Sequence, residues 1–279
     1  MSDLLTIVIV SYKSNKLVIP ILNRFSKLFK IIIIENSQDL NLRKIIQLKY
    51  KKNVNIIFKK NIGFGSAINF ASKFVYTKYF FSINPDLHTD VRSINNLIKA
   101  AEKLNSTFGA IAPINLFKKK YNKKNSLAKV NAINGSAMFF STAIFKQIGG
   151  FDEKIWLFFE ENDLCLRARN LGFFLYTISN AQAYHEGGKS MNNKSVNYQM
   201  ILTRYWHGQW SKYYFYRKHY GVLRALLISI PKFIKLIFQM LITVIYNPKK
   251  SKIYIYQICG MISSMVGVSS FVRPDRKKY

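Results

Sequence analysis

Five short runs rich in β-branched and aromatic residues recur along the first 112 residues: Leu5–Val10, Ile31–Glu35, Val54–Phe58, Tyr79–Ile83 and Gly109–Ala112. Amphipathic stretches separate them at Leu17–Phe29, Leu42–Tyr50, Ser66–Tyr76 and Ser93–Leu104. Parallel neighbours need a long crossover, and a helix that buries one face on the sheet supplies it, so this alternation predicts βαβ units. The expected fold class is α/β with a mostly parallel central sheet. The first four runs lead into small or polar residues: Ser11 and Tyr12, Asn36 and Ser37, Asn61–Gly65, and Asn84–Asp86. Open α/β sheets bind ligands at the carboxyl ends of their strands, which makes these residues the first binding candidates.

Beyond residue 112 the alternation loosens. Phe117–Lys129 is rich in Lys and Asn and reads as a surface loop or insertion. Ala137–Phe140 is another apolar run, and the helix-like Thr142–Ile148 after it is closed by Gly149-Gly150. With 279 residues and 49% hydrophobic composition, the chain can bury one large core or a core plus an appendage. The predicted division is a main domain at 1–215 and a basic, apolar helical region at 216–279. Cys165 and Cys259 lack the close spacing of a metal knuckle or redox motif, which argues against a disulfide framework. Leu4–Val10 is too short for a signal sequence and has no basic segment before it, so it reads as the first strand of a cytoplasmic protein.

The formal charge of +30 calls for polyanionic surroundings: nucleic acid, anionic lipid or phosphorylated substrates. From Gly187 onward, 16 Lys and Arg stand against one acid, Asp275, so the final third carries half of that charge. An A/T-rich genome produces the same Lys, Asn and Ile bias without selection for binding. Val222–Tyr246 is apolar but interrupted by Arg224, Pro231, Lys232 and Lys235. A charge at a bilayer centre costs about 2.5–3.5 kcal/mol on insertion scales, so an interfacial amphipathic helix fits better than a span. Ile253–Val272 is uncharged but holds four Ser, two Gly and a Gln, which favours a pair of membrane-lying helices over a true span. A small helical cap on the main domain is the other reading. The aromatic and basic run Tyr205–Tyr220 suits stacking on single-stranded nucleic acid or the headgroup level of a membrane. The apolar tail that follows makes the membrane the more economical partner, with no nucleic acid expected.

Three clusters carry chemistry. In Phe158-Phe159-Glu160-Glu161-Asn162-Asp163, three of only 13 acids fall within four residues, beside aromatics and ahead of a helix-like run. Capping by the helix dipole explains such acids structurally, whereas apolar surroundings and like charges raise a carboxyl pKa as a general base needs. In Ser82-Ile83-Asn84-Pro85-Asp86 an acid follows the end of an apolar run; it is either part of a turn or a ligand for a hard divalent cation on a diphosphate. In Tyr184-His185-Glu186-Gly187-Gly188 one of four histidines stands beside glycines, where it can be structural or complete a metal site.

Taken in order from Thr6 to about Gly221, the segments resemble the inverting family 2 glycosyltransferases with a GT-A fold, especially the rhamnosyltransferase-like branch. The segments are Thr6–Tyr12, Ile33–Ser37, Asn61–Gly65 with Asn69, Asn84–Asp86, Asn134–Ala137, Ile148–Glu153, the acidic cluster through Arg167, and His185. The resemblance implies that Ser11, Tyr12 and Glu35 line a nucleoside pocket and that Asn61, Gly63 and Gly65 help bind the donor. It implies that Asp86 holds Mn²⁺ or Mg²⁺ together with His185, with Asn84 where relatives often carry the first acid of an Asp-x-Asp motif. Glu35 likewise stands where many relatives carry Asp. The base falls on Glu161, with Glu160 as the alternative, and Asp163 orients the acceptor. The implied partners are a nucleotide-sugar donor such as dTDP-rhamnose, a glycan or undecaprenyl-linked acceptor, and an anionic membrane surface. The implied setting is polysaccharide or O-antigen synthesis, peripheral to the cytoplasmic face of a bacterial inner membrane. The rival is a non-catalytic basic protein binding nucleic acid or membrane on an α/β scaffold, which has no need to gather Asp86, Glu161 and His185.

Overall fold

The computed structural model describes residues 3–115, 127–185 and 198–274. Most of Phe117–Lys129, the glycines after His185, and Asp275 lie outside the described residues. Cα packing divides the chain into two compact units, Met1–Phe151 with Glu161–Asn193, and Asp152–Glu160 with Lys194–Tyr279. The division predicted at 215/216 falls inside a helix of the second unit.

The first unit is a nine-stranded sheet. Strands β1 (Leu5–Ser11), β2 (Lys30–Glu35), β3 (Val54–Phe58) and β4 (Tyr79–Ile83) run parallel in the order β3-β2-β1-β4. Helices α1 (Asn15–Phe25), α2 (Leu40–Lys49) and α3 (Phe64–Ser72) cross between them. Asp39 caps α2 by accepting from the Asn41 and Leu42 amides. Beyond β4 the expected parallel pattern gives way to a mixed one. Strands β5 (Leu87–Thr89) and β6 (Ala110–Asn115) are separated by α4 (Val91–Lys103), and β7 (Leu127–Val130) and β8 (Ala137–Ser141) follow. Strand β8 pairs antiparallel with β4 and β6, and β9 (Leu175–His185) runs parallel to β6 but antiparallel to β5 and β7.

Alternation along the strands builds a core on each face. One face of β1, β2 and β4 presents Ile7, Ile9, Ile31, Ile33, Tyr79 and Phe81 to the helices α1, α2 and α4. The other presents Val8, Ile32, Ile34 and Phe80 to α3, α5 (Thr142–Ile148) and α6 (Glu160–Asn170). Phe80 stacks on Phe140 at 4.9 Å, and Phe145 meets both rings edge-on. Such pairs add about 0.5–1.5 kcal/mol each beyond area burial, and here they fix α5 against the sheet.

The second unit is helical. Helix α7 (Tyr198–Tyr246) is broken at Gly221, whose φ of 82° lies in the left-handed region, and α8 (Pro248–Met265) packs against it. Among the described residues α7 is the one helix long and apolar enough to cross a membrane by length and composition. The aromatics expected at headgroup level are mostly interior: Trp206, Trp210, Tyr213 and Phe215 are buried, while Tyr205 and Tyr220 stay exposed. Trp206 packs on Trp210 and Phe271, and Trp156 lies 4.5 Å from the His207 ring. Large rings that can share an apolar core within the unit are buried there first.

Candidate active site

The carboxyl edge of the sheet gathers most of the predicted residues in one row. Register sets Ser11 opposite Glu35, and Ile9 opposite Ile83, one residue before Asn84. The Asn84 amide donates to the Ser136 carbonyl at 2.9 Å, carrying the row onto the start of β8. An ideal Cβ on Gly135 would sit 3.6 Å from the Glu161 Cβ, so this glycine brings the backbone close against that carboxylate-bearing side chain. At about 4.8 Å per strand, the path from Glu35 to Ser136 covers roughly 14 Å.

Each residue in the row has a local reason for its place. Glu35 is fully buried and accepts from the Ser37 amide (3.0 Å), the Ser37 hydroxyl (2.6 Å) and the Asp39 amide (2.8 Å). It therefore shapes the β2–α2 loop from within. The Lys13 amide donates to Ser37 Oγ, tying the end of β1, where half-buried Tyr12 stands, to this loop. Among the described residues, Ser11 Oγ, Asn36 Oδ1 and Ser136 Oγ are buried without a hydrogen-bond partner, which leaves polar capacity that a ligand could meet. Asn61 accepts from the Gly63 amide at 3.4 Å; Gly63 has a φ of 93°, and Gly65 packs directly on Phe151.

Helix α6 carries the acidic cluster. Glu160 is buried, whereas Glu161 is half-buried against Gly135, and burial pushes its carboxyl pKa up. Asp163 is fully buried and accepts from Arg167 Nε at 2.8 Å. Arg167 also donates to the Ile148 carbonyl at 2.7 Å and the Gly150 carbonyl at 2.6 Å, which fastens α6 to the turn after α5. Asn69 clamps the same turn by donating to the Phe151 carbonyl and accepting from its amide. The residues leading into α6, Phe158 and Phe159, both have positive φ, at 65° and 67°. Left-handed backbone costs roughly 1–2 kcal/mol per residue, and within the second unit Phe215 packs on Phe159 at 5.5 Å while Arg204 lies over Phe158. Sequence reasoning missed these supports. A Gly-Gly pair and two adjacent aromatics before an acid pair were the available signals.

Asp86 is 1% exposed, and the β5–β9 register sets His185 opposite Leu87, the residue next to Asp86. A carboxylate such as that of Asp86 is the ligand type that suits a hard divalent cation whose other ligands are phosphate oxygens and water. Among the described residues no three His, Cys, Asp or Glu cluster as a self-sufficient metal site.

Between β6 and β9 lies a cavity of about 210 Å³, bounded by Pro113, Ile114, Thr177 and Ala183 and by the loop that carries Asn134 and Ser136. A register shift between Pro113 and Ile114 accompanies it.

A mixed α/β sheet with its polar row at the carboxyl edge, and an acid-bearing helix beside it, defines a GT-A type glycosyltransferase fold. Among solved structures, GalNAc-T7 with UDP, GalNAc and Mn²⁺ matches at a TM-score of 0.57 and 12% identity, covering 76% of this chain. This chain spans about half of that one, 49%. TarS 1–349 of S. aureus in complex with UDP-GlcNAc matches at a TM-score of 0.52 and 12% identity, covering 95% of this chain and 92% of that chain. The chain belongs to the glycosyl transferase family 2, whose model matches residues 6–172. It is also 24% identical over 230 residues to the low-salt glycan biosynthesis hexosyltransferase Agl10 of Haloferax volcanii, covering 72% of this chain and 73% of that one.

Proposed function

We propose that the chain is an inverting hexosyltransferase that moves a sugar, rhamnose from dTDP-rhamnose being the specific assignment, onto a glycan or undecaprenyl-linked acceptor in cell-surface polysaccharide or O-antigen synthesis. The observation that carries the reading is Glu161: a desolvated carboxylate with a raised pKa, set by Gly135 at the end of the polar row. Such a group binds a proton readily from an acceptor hydroxyl as that oxygen forms its bond to the anomeric carbon. The bond to the diphosphate breaks in the same step, and the diphosphate departs with the electron pair. A divalent cation on Asp86 and His185 would stabilise charge on the departing diphosphate. Ser11 and Asn36 offer unmet polar atoms to the nucleoside. The neighbours seen with UDP and UDP-GlcNAc, and the hexosyltransferase relative, support a nucleotide-sugar donor.

The same proposal places the protein on the cytoplasmic face of a bacterial inner membrane. In the second half of α7, Leu223, Leu227, Ile230, Ile234, Phe238, Leu241 and Ile245 are exposed along one stripe, opposite buried Ala225, Ser229 and Leu236. Arg224 and Lys235 lie along one side of the stripe, the pattern of a helix lying in an anionic headgroup layer.

The test is thermal-shift binding of nucleoside diphosphates and nucleotide-sugars with and without Mn²⁺ or Mg²⁺, followed by turnover of Glu161→Gln. Metal-dependent stabilisation by one nucleotide, with turnover lost in Glu161→Gln while donor binding persists, supports the reading. No nucleotide response alongside tight binding to nucleic acid overturns it.

A further inference from the structure

We propose that Ser211 and Phe215 are positioning residues for the transfer step: through the bend at 157–159 they set the backbone from which α6 carries Glu161. This rests on Glu161 being the base, as read above. Within the second unit, one face of α7 ahead of the Gly221 break follows the segment Asp152–Glu160. Tyr214 OH and Lys218 Nζ donate to Asp152 Oδ2 at 2.9 and 2.7 Å. The His207 ring lies 4.5 Å from that of Trp156, and Ser211 Oγ donates to the Leu157 carbonyl at 2.8 Å. Arg204 stands 5.1 Å over the Phe158 ring, and Phe215 packs on Phe159 at 5.5 Å. Positions 204, 207, 211, 214 and 218 recur at three- or four-residue spacing, with 215 beside 214, so a single helical face makes all of these contacts.

The bend gives that grip a catalytic consequence. Phe158 and Phe159 hold φ of 65° and 67° in succession. Bulky residues keep a left-handed backbone only where their surroundings over-determine it, and such strain gathers at sites whose function needs a fixed geometry. Glu160 opens α6 directly after the pair, and Glu161 follows. Rotating either φ out of the left-handed region redirects the first turn of α6 and with it the Glu161 carboxylate. Ser211 is 0% exposed and Phe215 8%, so both supports belong to the interior of the second unit. Arg167 fastens α6 further along, and the bend fixes where the helix begins. A misplacement of about 1 Å in a reacting group can cost on the order of a hundredfold in rate, so supports remote from the substrate can govern turnover.

The experiment measures kcat, donor KM and the pH dependence of kcat in the full chain for Ser211→Ala, Phe215→Ala and Phe215→Leu, well below each variant's melting temperature. The control is Leu236→Ala, a fully buried site beyond the Gly221 break, which should lower the melting temperature of the second unit without moving kcat. Ser211→Ala and Phe215→Ala should each lose at least tenfold in kcat, with donor KM within twofold of wild type and an unchanged thermal shift with free nucleoside diphosphate. Phe215→Leu refills most of the space and should recover most of the rate. Burial raises the Glu161 carboxyl, so a displaced and better solvated Glu161 should carry the midpoint of the kcat profile down towards the ordinary carboxylate value of about 4.3. Three results overturn the assignment: a kcat within twofold of wild type in either alanine variant, a loss carried by donor KM or matched by Leu236→Ala, or a lowered kcat whose pH midpoint stays in place. Near-normal turnover in Glu161→Gln, run alongside, sinks instead the reading of Glu161 as the base.

Discussion

Arg167→Met is expected to destabilise the first unit by about 3–5 kcal/mol. The side chain is 22% exposed and its Asp163 partner 0%, so the substitution leaves a carboxylate in the interior with its cation gone. Removing one member of a buried pair costs about that much because the remaining charge is uncompensated. Methionine keeps most of the apolar stem, which confines the change to the guanidinium. The Ile148 and Gly150 carbonyls lose their donor as well, which places the expected value in the upper half of the range. For a unit of this size each kcal/mol moves the midpoint by about 2–4 °C, so the shift is roughly 6–20 °C. Urea unfolding followed by near-UV circular dichroism, with a cycle including Asp163→Leu, separates the terms. The double variant should recover part of the loss, since no buried charge is left. A loss below about 1 kcal/mol in the single variant, or a double variant as unstable as the summed singles, refutes the reasoning.

Glu161→Gln should abolish turnover yet raise thermal stability at neutral pH: the native carboxyl pKa is raised, so the native state disfavours the charge that the amide removes. In the wild type, kcat/KM should fall with falling pH through a midpoint above the usual carboxylate value of about 4.3, read from initial rates. His207 is buried between Trp156 and Trp206, and burial lowers its pKa to about 4. The unfolded chain therefore binds an extra proton between about pH 6.5 and 4, so the second unit should lose stability as pH falls through that window. His207→Phe should flatten this slope in pH-dependent thermal melts. A Cβ on Gly260 would overlap the Trp206 carbonyl, so Gly260→Ala should push α8 off α7 and cost about 1–3 kcal/mol in chemical denaturation, with the sheet unit unaffected.

The sequence by itself determined the parallel half of the sheet. Val54–Phe58 and Tyr79–Ile83 were legible to the residue because β-branched and aromatic runs bounded by polar turns state both period and length. It also determined the polar ends of those strands and hence the row from Glu35 to Asn84, since a parallel sheet must put every such end on one edge. Tertiary structure decided what local pattern does not encode. Strand β8 enters antiparallel because pairing partners are chosen across the chain. That Asp163 pairs with Arg167 while Glu161 lies against Gly135 depends on the rotation of α6 against the sheet. The aromatic run after Tyr205 carries the same residues in a core as at a headgroup layer. Burial of Trp206 and Trp210 was settled by what else in the second unit could cover them, because the hydrophobic effect counts area removed from water and is indifferent to sequence order.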